Sequence, residues 1–231
     1  MSKKIKYKKE MFDFIKELMY INTSIAFERI DDRIVVRKSN VNQTLPYIAS
    51  FPLDYFEIDD TVAFYKYDDF HRYLSSIKNA DISIDDIDMI ISKGGTTIKY
   101  RLSDEDGIIN GPKSVNFDDY TATFVLSAED LLEISRIDNN VKSTYARIVC
   151  IDDEVQIKFY SDGNDNSFER VFKVERIGDY DEDFAMTIYS DRFSQLPTKR
   201  DYNVNISAQN FINISLIHDE IEFDLYSGDV Q

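Results

Sequence analysis

Paired carboxylates are the residues of this sequence most able to do chemistry, because two adjacent acids can hold a divalent cation or divide the acid and base roles of a hydrolase. Asp59-Asp60, Asp85-Asp86, Asp118-Asp119, Asp152-Asp153 and the run from Asp179 to Asp183 are such groups. Most of them fall where strand patterns end, so they read as solvated turns. Asp162-Gly163-Asn164-Asp165-Asn166 has the composition of a calcium loop but lacks its spaced oxygen ligands and terminal glutamate, and reads as a hairpin tip. Lys93-Gly94-Gly95-Thr96-Thr97 lies between strands rather than before a helix, so it is a turn and not a phosphate cradle. No nucleophile elbow, Walker A loop or dinucleotide fingerprint is present. The single cysteine, Cys150, sits in the apolar run Ile148-Val-Cys-Ile151 as a buried inert thiol. With only His71 and His218 beside it, neither a zinc cluster nor a disulfide framework can be assembled. His71 could touch a phosphate, whereas His218, before Asp219-Glu220, reads as an exposed turn histidine. No catalytic residue, metal or cofactor is therefore expected.

The elements that must carry these residues are mostly strands. Arg33-Ile-Val-Val-Arg37, Asp81-Ile-Ser-Ile-Asp85, Val155-Gln-Ile-Lys-Phe159 and Ile221-Glu-Phe-Asp-Leu225 alternate apolar and polar residues with period two, which predicts half-buried antiparallel strands. Four segments break that rhythm with helical spacing. Lys9 to Tyr20 stacks Met11, Ile15 and Leu18, with Phe12 and Met19 beside them. Asp68 to Lys78 carries Phe70, Tyr73, Leu74 and Ile77 behind Asp68 as N-cap. A third starts at the capping-box residue Ser127 and runs through Leu131, Ile134 and Ile137, and the fourth, Ser190 to Leu196, stops at Pro197.

These helices occupy equivalent places of an internal repeat. Asp31-Asp32 returns as Asp152-Asp153, Tyr67 as Tyr189, and Ile98, Tyr100 and Leu102 as Ile221, Phe223 and Leu225. Small loop insertions account for the slight drift in the offset. The expected class is α+β with two similar domains, 1–103 and 120–231, joined by a linker over 104–119. A chain of 231 residues suffices for two such cores. With 43% hydrophobic residues it is not a disordered acidic tail. No stretch has the apolar length of a membrane span, and the basic N-terminus lacks a signal peptide's continuous apolar core, so a soluble intracellular protein is expected.

The net charge is −16, which should repel nucleic acid and anionic membranes from most of the surface. The basic residues nevertheless gather at the helices: Lys3, Lys4, Lys6, Lys8, Lys9 and Lys16 near the first, Arg72 and Lys78 on the second, Arg136 and Lys142 at the third, Arg192, Lys199 and Arg200 at the fourth. Isolated cations on helix faces are usually just solvated, but repetition at four equivalent places suggests a built basic surface.

In this arrangement, and in the segments Phe14-Ile-Lys-Glu-Leu-Met-Tyr-Ile-Asn22, Tyr67-Asp-Asp-Phe-His-Arg-Tyr-Leu-Ser75 and Phe193-Ser-Gln-Leu-Pro-Thr-Lys-Arg-Asp-Tyr202, the chain resembles the DNA sliding clamps. The resemblance is to the trimeric clamps of large tailed phages, related in fold to proliferating cell nuclear antigen, and it covers nearly the whole chain. It implies two DNA-clamp domains per chain with antiparallel sheets outside and two helices per domain on one face, in a head-to-tail homotrimeric ring around duplex DNA. Such a ring is a processivity factor with no catalysis of its own, acting in the cytoplasm (the host's, if viral). Its partners would be duplex DNA bound without regard to sequence, a DNA polymerase and a clamp-loader ATPase. By position, Lys9, Lys16, Arg72, Lys78, Arg136, Lys142, Arg192 and Lys199 would face DNA, with Lys8, His71 and Arg200 as weaker candidates.

The resemblance further implies an apolar pocket beside the linker for a client's peptide, formed here by Ile108, Ile109, Val115 and Phe117 with Phe211, Leu225 and Tyr226 and with Val41 or Leu45. The plainer reading is that these residues pack the linker onto its domains. Ring closure would join edge strands, for which the segments around Thr97 to Leu102 and Phe168 to Val174 are the candidates. Two other functions remain open: a monomeric acidic β-rich protein that mimics DNA, which predicts carboxylates on the helix faces, and a hydrolase with an acidic metal site.

Overall fold

The computed structural model describes residues 3–18, 23–39, 46–108, 110–115, 119–151, 154–173, 175–176, 183–194, 196–207 and 209–230. The chain divides into two compact units, Met1–Lys113 with Glu220–Glu222, and Ser114–Asp219 with Phe223–Gln231.

The first unit begins with β1 (Lys3–Ile5) and α1 (Lys9–Glu17). Strands β2 (Ile25–Ile30), β3 (Arg33–Lys38), β4 (Tyr47–Pro52) and β5 (Val62–Phe64) follow, then α2 (Tyr67–Ser76) and β6 (Asp81–Asp85), β7 (Asp88–Lys93) and β8 (Thr96–Arg101). The second unit repeats the sequence as β9 (Tyr120–Leu126), α3 (Ala128–Val141), β10 (Tyr145–Ile151), β11 (Glu154–Ser161), β12 (Asn164–Lys173), the short β13 (Glu175–Arg176), β14 (Phe184–Tyr189), α4 (Asp191–Ser194), β15 (Tyr202–Ser207), β16 (Phe211–Leu216) and β17 (Glu222–Gly228). The strand orders carry the repeat into space. In the first unit β1-β6-β7-β8 and β4-β3-β2-β5 are hydrogen-bonded neighbours; in the second the equivalent runs are β9-β15-β16-β17 and β12-β11-β10-β14, with β13 added beside β9. The pairings within these runs are antiparallel, as the period-two pattern requires.

The turns fall where acids and glycines stand. Asp31-Asp32 closes β2 onto β3, and Gly94-Gly95 joins β7 to β8 with φ of +56° and +87°, a left-handed pair that glycine adopts without steric cost. Asp162-Gly163 is the tip of the β11–β12 hairpin. Cys150 is buried in β10. Asp152-Asp153 lies outside the described residues.

The helices differ from expectation mainly at their ends. α1 stops at Glu17, where the N–H of Leu18 returns to the Ile15 and Lys16 carbonyls. Met19 and Tyr20 lie outside the described residues. α2 starts at Tyr67, so Asp68 lies in its first turn and is not its N-cap. The Tyr67 N–H is satisfied by the Thr23 carbonyl at 2.9 Å, and Asp68 and Asp69 in the first turn complement the positive end of the helix dipole. α3 is capped as its sequence predicts: Ser127 Oγ accepts the Asp130 N–H at 3.1 Å and donates to the Asp130 carboxylate at 2.6 Å.

The two cores differ in chemistry. That of the first unit is aromatic: Phe12 meets Phe56 edge-on at 5.1 Å and Phe70 at 5.4 Å, and Phe64 lies 4.4 Å from Phe70. Buried Tyr67 donates its hydroxyl to the Phe12 carbonyl at 2.8 Å, which fastens α2 to α1. The second core is chiefly aliphatic, with Leu131, Ile134, Ile148, Ile157 and Ile188 fully enclosed, and Phe159 stacked on Phe168 at 4.4 Å. Among the described residues no helix is long and apolar enough to cross a membrane.

Candidate nucleic-acid interface

The amphipathic faces of α1 and α2 bury Met11, Phe12, Phe14, Ile15, Tyr67, Phe70 and Leu74, and so turn the polar residues between them outward. Except for Lys78, the candidate cations of this unit do not stand alone. Lys9 pairs with Asp13 one turn along, Lys16 reaches Asp68 on α2 at 2.9 Å, and Arg72 holds Asp69 at 2.7 Å. Asp13 also meets His71 Nε2 at 2.8 Å, so His71 is engaged between the helices. Burial raises the Asp13 carboxyl, but the hydrogen bonds from Lys9 and His71 outweigh it and hold its pKa below the ordinary carboxylate value. Lys78 stands exposed in the turn after α2, and Lys8 pairs with Asp54 at 2.8 Å with its ammonium over the Tyr55 ring.

The second unit is different. Arg136 projects from the exposed side of α3, Lys142 ends that helix in a left-handed conformation with φ of 55°, and Lys199 is exposed in the turn after Pro197. None of the three has an ion-pair partner among the described residues. Arg170, on β12, takes the nearby acids instead: it pairs with Asp130 and lies 2.6 Å from Glu133. The fourth helix brings a correction. Arg192 is only 5% exposed, with its guanidinium engaged by Asp191 and Ser227 and set over the Tyr189 ring, so it is a structural cation and not an exposed helix-face one. α4 is so short that Arg192 lies beside buried Phe193 rather than on an outer face.

The expected peptide pocket is described in part. Ile108 follows the short 3-10 turn Glu105–Gly107 and is 7% exposed against Ala26 and Ala63, and the segment continues to Gly111 pressed on the backbone of Lys38. The stretch read as a linker thus belongs to the first unit through Lys113. Val115 is half-buried in the second. On β16 and β17, Phe211 and Tyr226 share a face with ring centroids 6.0 Å apart. Leu225 needs correction: successive strand residues point to opposite faces, and Leu225, paired with Ile214, is 1% exposed in the core. Val41, Leu45, Ile109 and Phe117 lie outside the described residues.

Reading the sequence for cations missed the acids that hold them. Lys9–Asp13 and Asp69–Arg72 are spaced for neighbouring turns and were legible, whereas the Lys16–Asp68 pair spans 52 residues and follows only from α1 packing on α2. Among the described residues no group of three His, Cys, Asp or Glu is placed to hold a metal ion. β8 and β12 each form an edge of their sheets, as the segments around Thr97 and Phe168 suggested.

No protein-family model and no curated protein sequence matches the chain. Solved structures do match it over its full length. Proliferating cellular nuclear antigen from Entamoeba histolytica superposes with a TM-score of 0.76 at 13% identity, covering 100% of both chains. The PCNA of A. fulgidus, solved with the C-terminal region of FEN-1 bound, gives 0.74 at 13% identity over 100% of this chain and 99% of that one. The PCNA2–PCNA3 complex of Sulfolobus tokodaii gives 0.75 at 12% identity with the same coverage. The chain has the two-domain, α+β fold of the PCNA sliding clamps.

Proposed function

We propose that the chain is a DNA sliding clamp: copies joined head-to-tail in a homotrimeric ring around duplex DNA, tethering a DNA polymerase so that it stays at the primer end. The observation that carries the reading is the repeated strand order, each time with two helices, in a chain that matches the PCNA fold from end to end. The ring would be held by main-chain pairing of β8 of one copy with β12 of the next, because these edges have unpaired backbone groups. Lys16, Lys78, Arg136, Lys142 and Lys199 would contact phosphates without reading bases, which permits sliding. The protein would do no chemistry; tethering raises the polymerase's effective concentration and suppresses its escape. A client's peptide would seat on the face of β16 and β17 that carries Phe211 and Tyr226; the A. fulgidus neighbour was solved with a peptide of this kind, the C-terminal region of FEN-1, bound. A closed ring would need a loader ATPase, and the phage-like origin belongs to this same proposal.

The acidic DNA-mimic reading draws support from the carboxylates that hold the cations of α1 and α2. Sedimentation over a dilution series separates the two. Against a chain of 27.0 kDa, a species of three chains that is retained on nicked circular DNA and lost when the circle is cut is the clamp's expected result. A monomer with no topological retention overturns it.

A further inference from the structure

Beside β5 two depressions, of about 290 Å³ and about 480 Å³, share Thr61, Asp86 and Leu102 and so form one groove within the first unit. Its floor is apolar: Ile5, Ile58 and Val62 are 5%, 2% and 4% exposed, and half-buried Ile84 and Leu102 continue it. Its margin is acidic, but unevenly neutralised. Glu57 is matched by Lys6 at 3.2 Å, Asp59 by Arg29 at 3.7 Å, and Asp88 by Arg101 at 2.6 Å. Asp60, in the bend before β5, and Asp86, in the β6–β7 turn, are exposed and have no ion-pair partner among the described residues.

We propose that this groove docks a short basic peptide segment of a partner protein, one large apolar side chain entering the floor and flanking Lys or Arg residues meeting Asp60 and Asp86. Charge complementarity selects the occupant: the unmatched charges are negative and the chain as a whole carries −16, so an acidic peptide or a nucleic acid is repelled. The apolar floor selects against a bare polyamine, which has no group to bury there. A metal ion is disfavoured because no three-ligand group stands among the described residues. Asp60 and Asp86 are distinct from the helix-face cations, and although Ala63 of the groove also touches Ile108 and Arg101 ends β8, the inference rests on the groove's own chemistry and not on the clamp reading.

The test is fluorescence anisotropy with the full chain and fluorescein-labelled Arg-Lys-Leu-Phe-Lys-Arg. Saturable binding is expected, weakened at least about fivefold by D60N/D86N and changed less than about twofold by the charge-matched D162N/D219N. Replacing the probe's Leu-Phe by Ser-Ser should cost about tenfold or more. Equal weakening by both double variants, or equal binding of the Ser-Ser probe, would mean diffuse attraction to an acidic protein and would overturn the proposal. So would binding that does not saturate by about 1 mM. Because Asp60 and Asp86 are exposed, neither variant should disturb folding, and matching melting curves confirm that the comparison is fair.

Discussion

A Cβ placed on Gly111 would fall 2.6 Å from the carbonyl oxygen of Lys38. The 110–113 segment therefore lies against the end of β3 because it carries a hydrogen where any other residue has a carbon. The carbonyl carbon and the nitrogen of Lys38 stand next nearest, at 2.9 and 3.0 Å, and all three atoms are backbone, so no side-chain rotation can relieve the contact.

Gly111→Ala should consequently lift this segment from β3 and destabilise the protein by about 1–3 kcal/mol, the usual cost of overpacking. Thermal denaturation gives the stability. Increased protease cleavage near residue 111 would locate the change, and an unaltered melting temperature with unaltered cleavage would mean that the segment shifts freely.

Lys38 itself makes a second prediction. Its side chain is fully enclosed, and burial brings its pKa down to about 8. Folding then favours the neutral amine. As pH rises from about 8 towards the unfolded value of 10.5, only the unfolded chain still binds this proton, so stability should increase. Above about pH 10 buried Tyr67 and Tyr55 act the other way, because burial raises both hydroxyls, Tyr55 to about 12, and their stabilising effect is lost as they ionise. Lys38→Met should abolish the rise between pH 8 and 10. Denaturant titration across that range tests the point.

Asp13 and Asp130 contribute to the acid limb. In both, burial raises the carboxyl, and the hydrogen bonds outweigh it: from Lys9 and His71 to Asp13, from Ser127 and Arg170 to Asp130. A carboxylate with a depressed folded pKa stabilises above the unfolded value of 3.8, and this contribution disappears as pH falls through the lower folded value. The Asp13 side chain is 44% exposed, so water screens its pair and the effect should stay below about 1 kcal/mol. D13N/D130N should flatten the stability curve below pH 4 and leave its shape between pH 5 and 8 unchanged.

Much of the fold was legible because its strands are half-buried and its turns acidic. Period-two alternation in Val155 to Phe159 fixes which side chains enter the core, and Ser127 marks its helix start by a local hydrogen bond. The site was legible only as far as it is local. Arg192 looks like its helix-face counterparts in the sequence, and nothing nearby reveals that Ser227, 35 residues later, will enclose it. Leu225 and Tyr226 are adjacent and both apolar, so only the strand pairing shows that they face opposite ways. The strand orders, likewise, rest on contacts between segments distant in the chain, to which the sequence repeat points without specifying them.

The paired and the unpaired cations should contribute unequally to DNA retention. A phosphate that meets Lys9, Lys16 or Arg72 must compete with Asp13, Asp68 or Asp69 already in place, and each exchange returns a carboxylate to water beside the DNA. Arg136, Lys142 and Lys199 have no such partner to release among the described residues. Replacing these three with Ala should lower the slope of log affinity against log salt by up to about 3, near one per lost phosphate contact, and the triple Ala variant of Lys9, Lys16 and Arg72 should lower it by less. Both variants should assemble normally, since none of the six lies on β8 or β12. Retention on nicked circular DNA, measured from 50 to 200 mM salt, decides the matter: equal slopes would show that the intramolecular pairs open at no cost. Because the paired acids sit on the helix faces, D13N/D68N should tighten DNA binding at low salt, whereas the DNA-mimic reading gives no salt-dependent DNA retention for the substitutions to change.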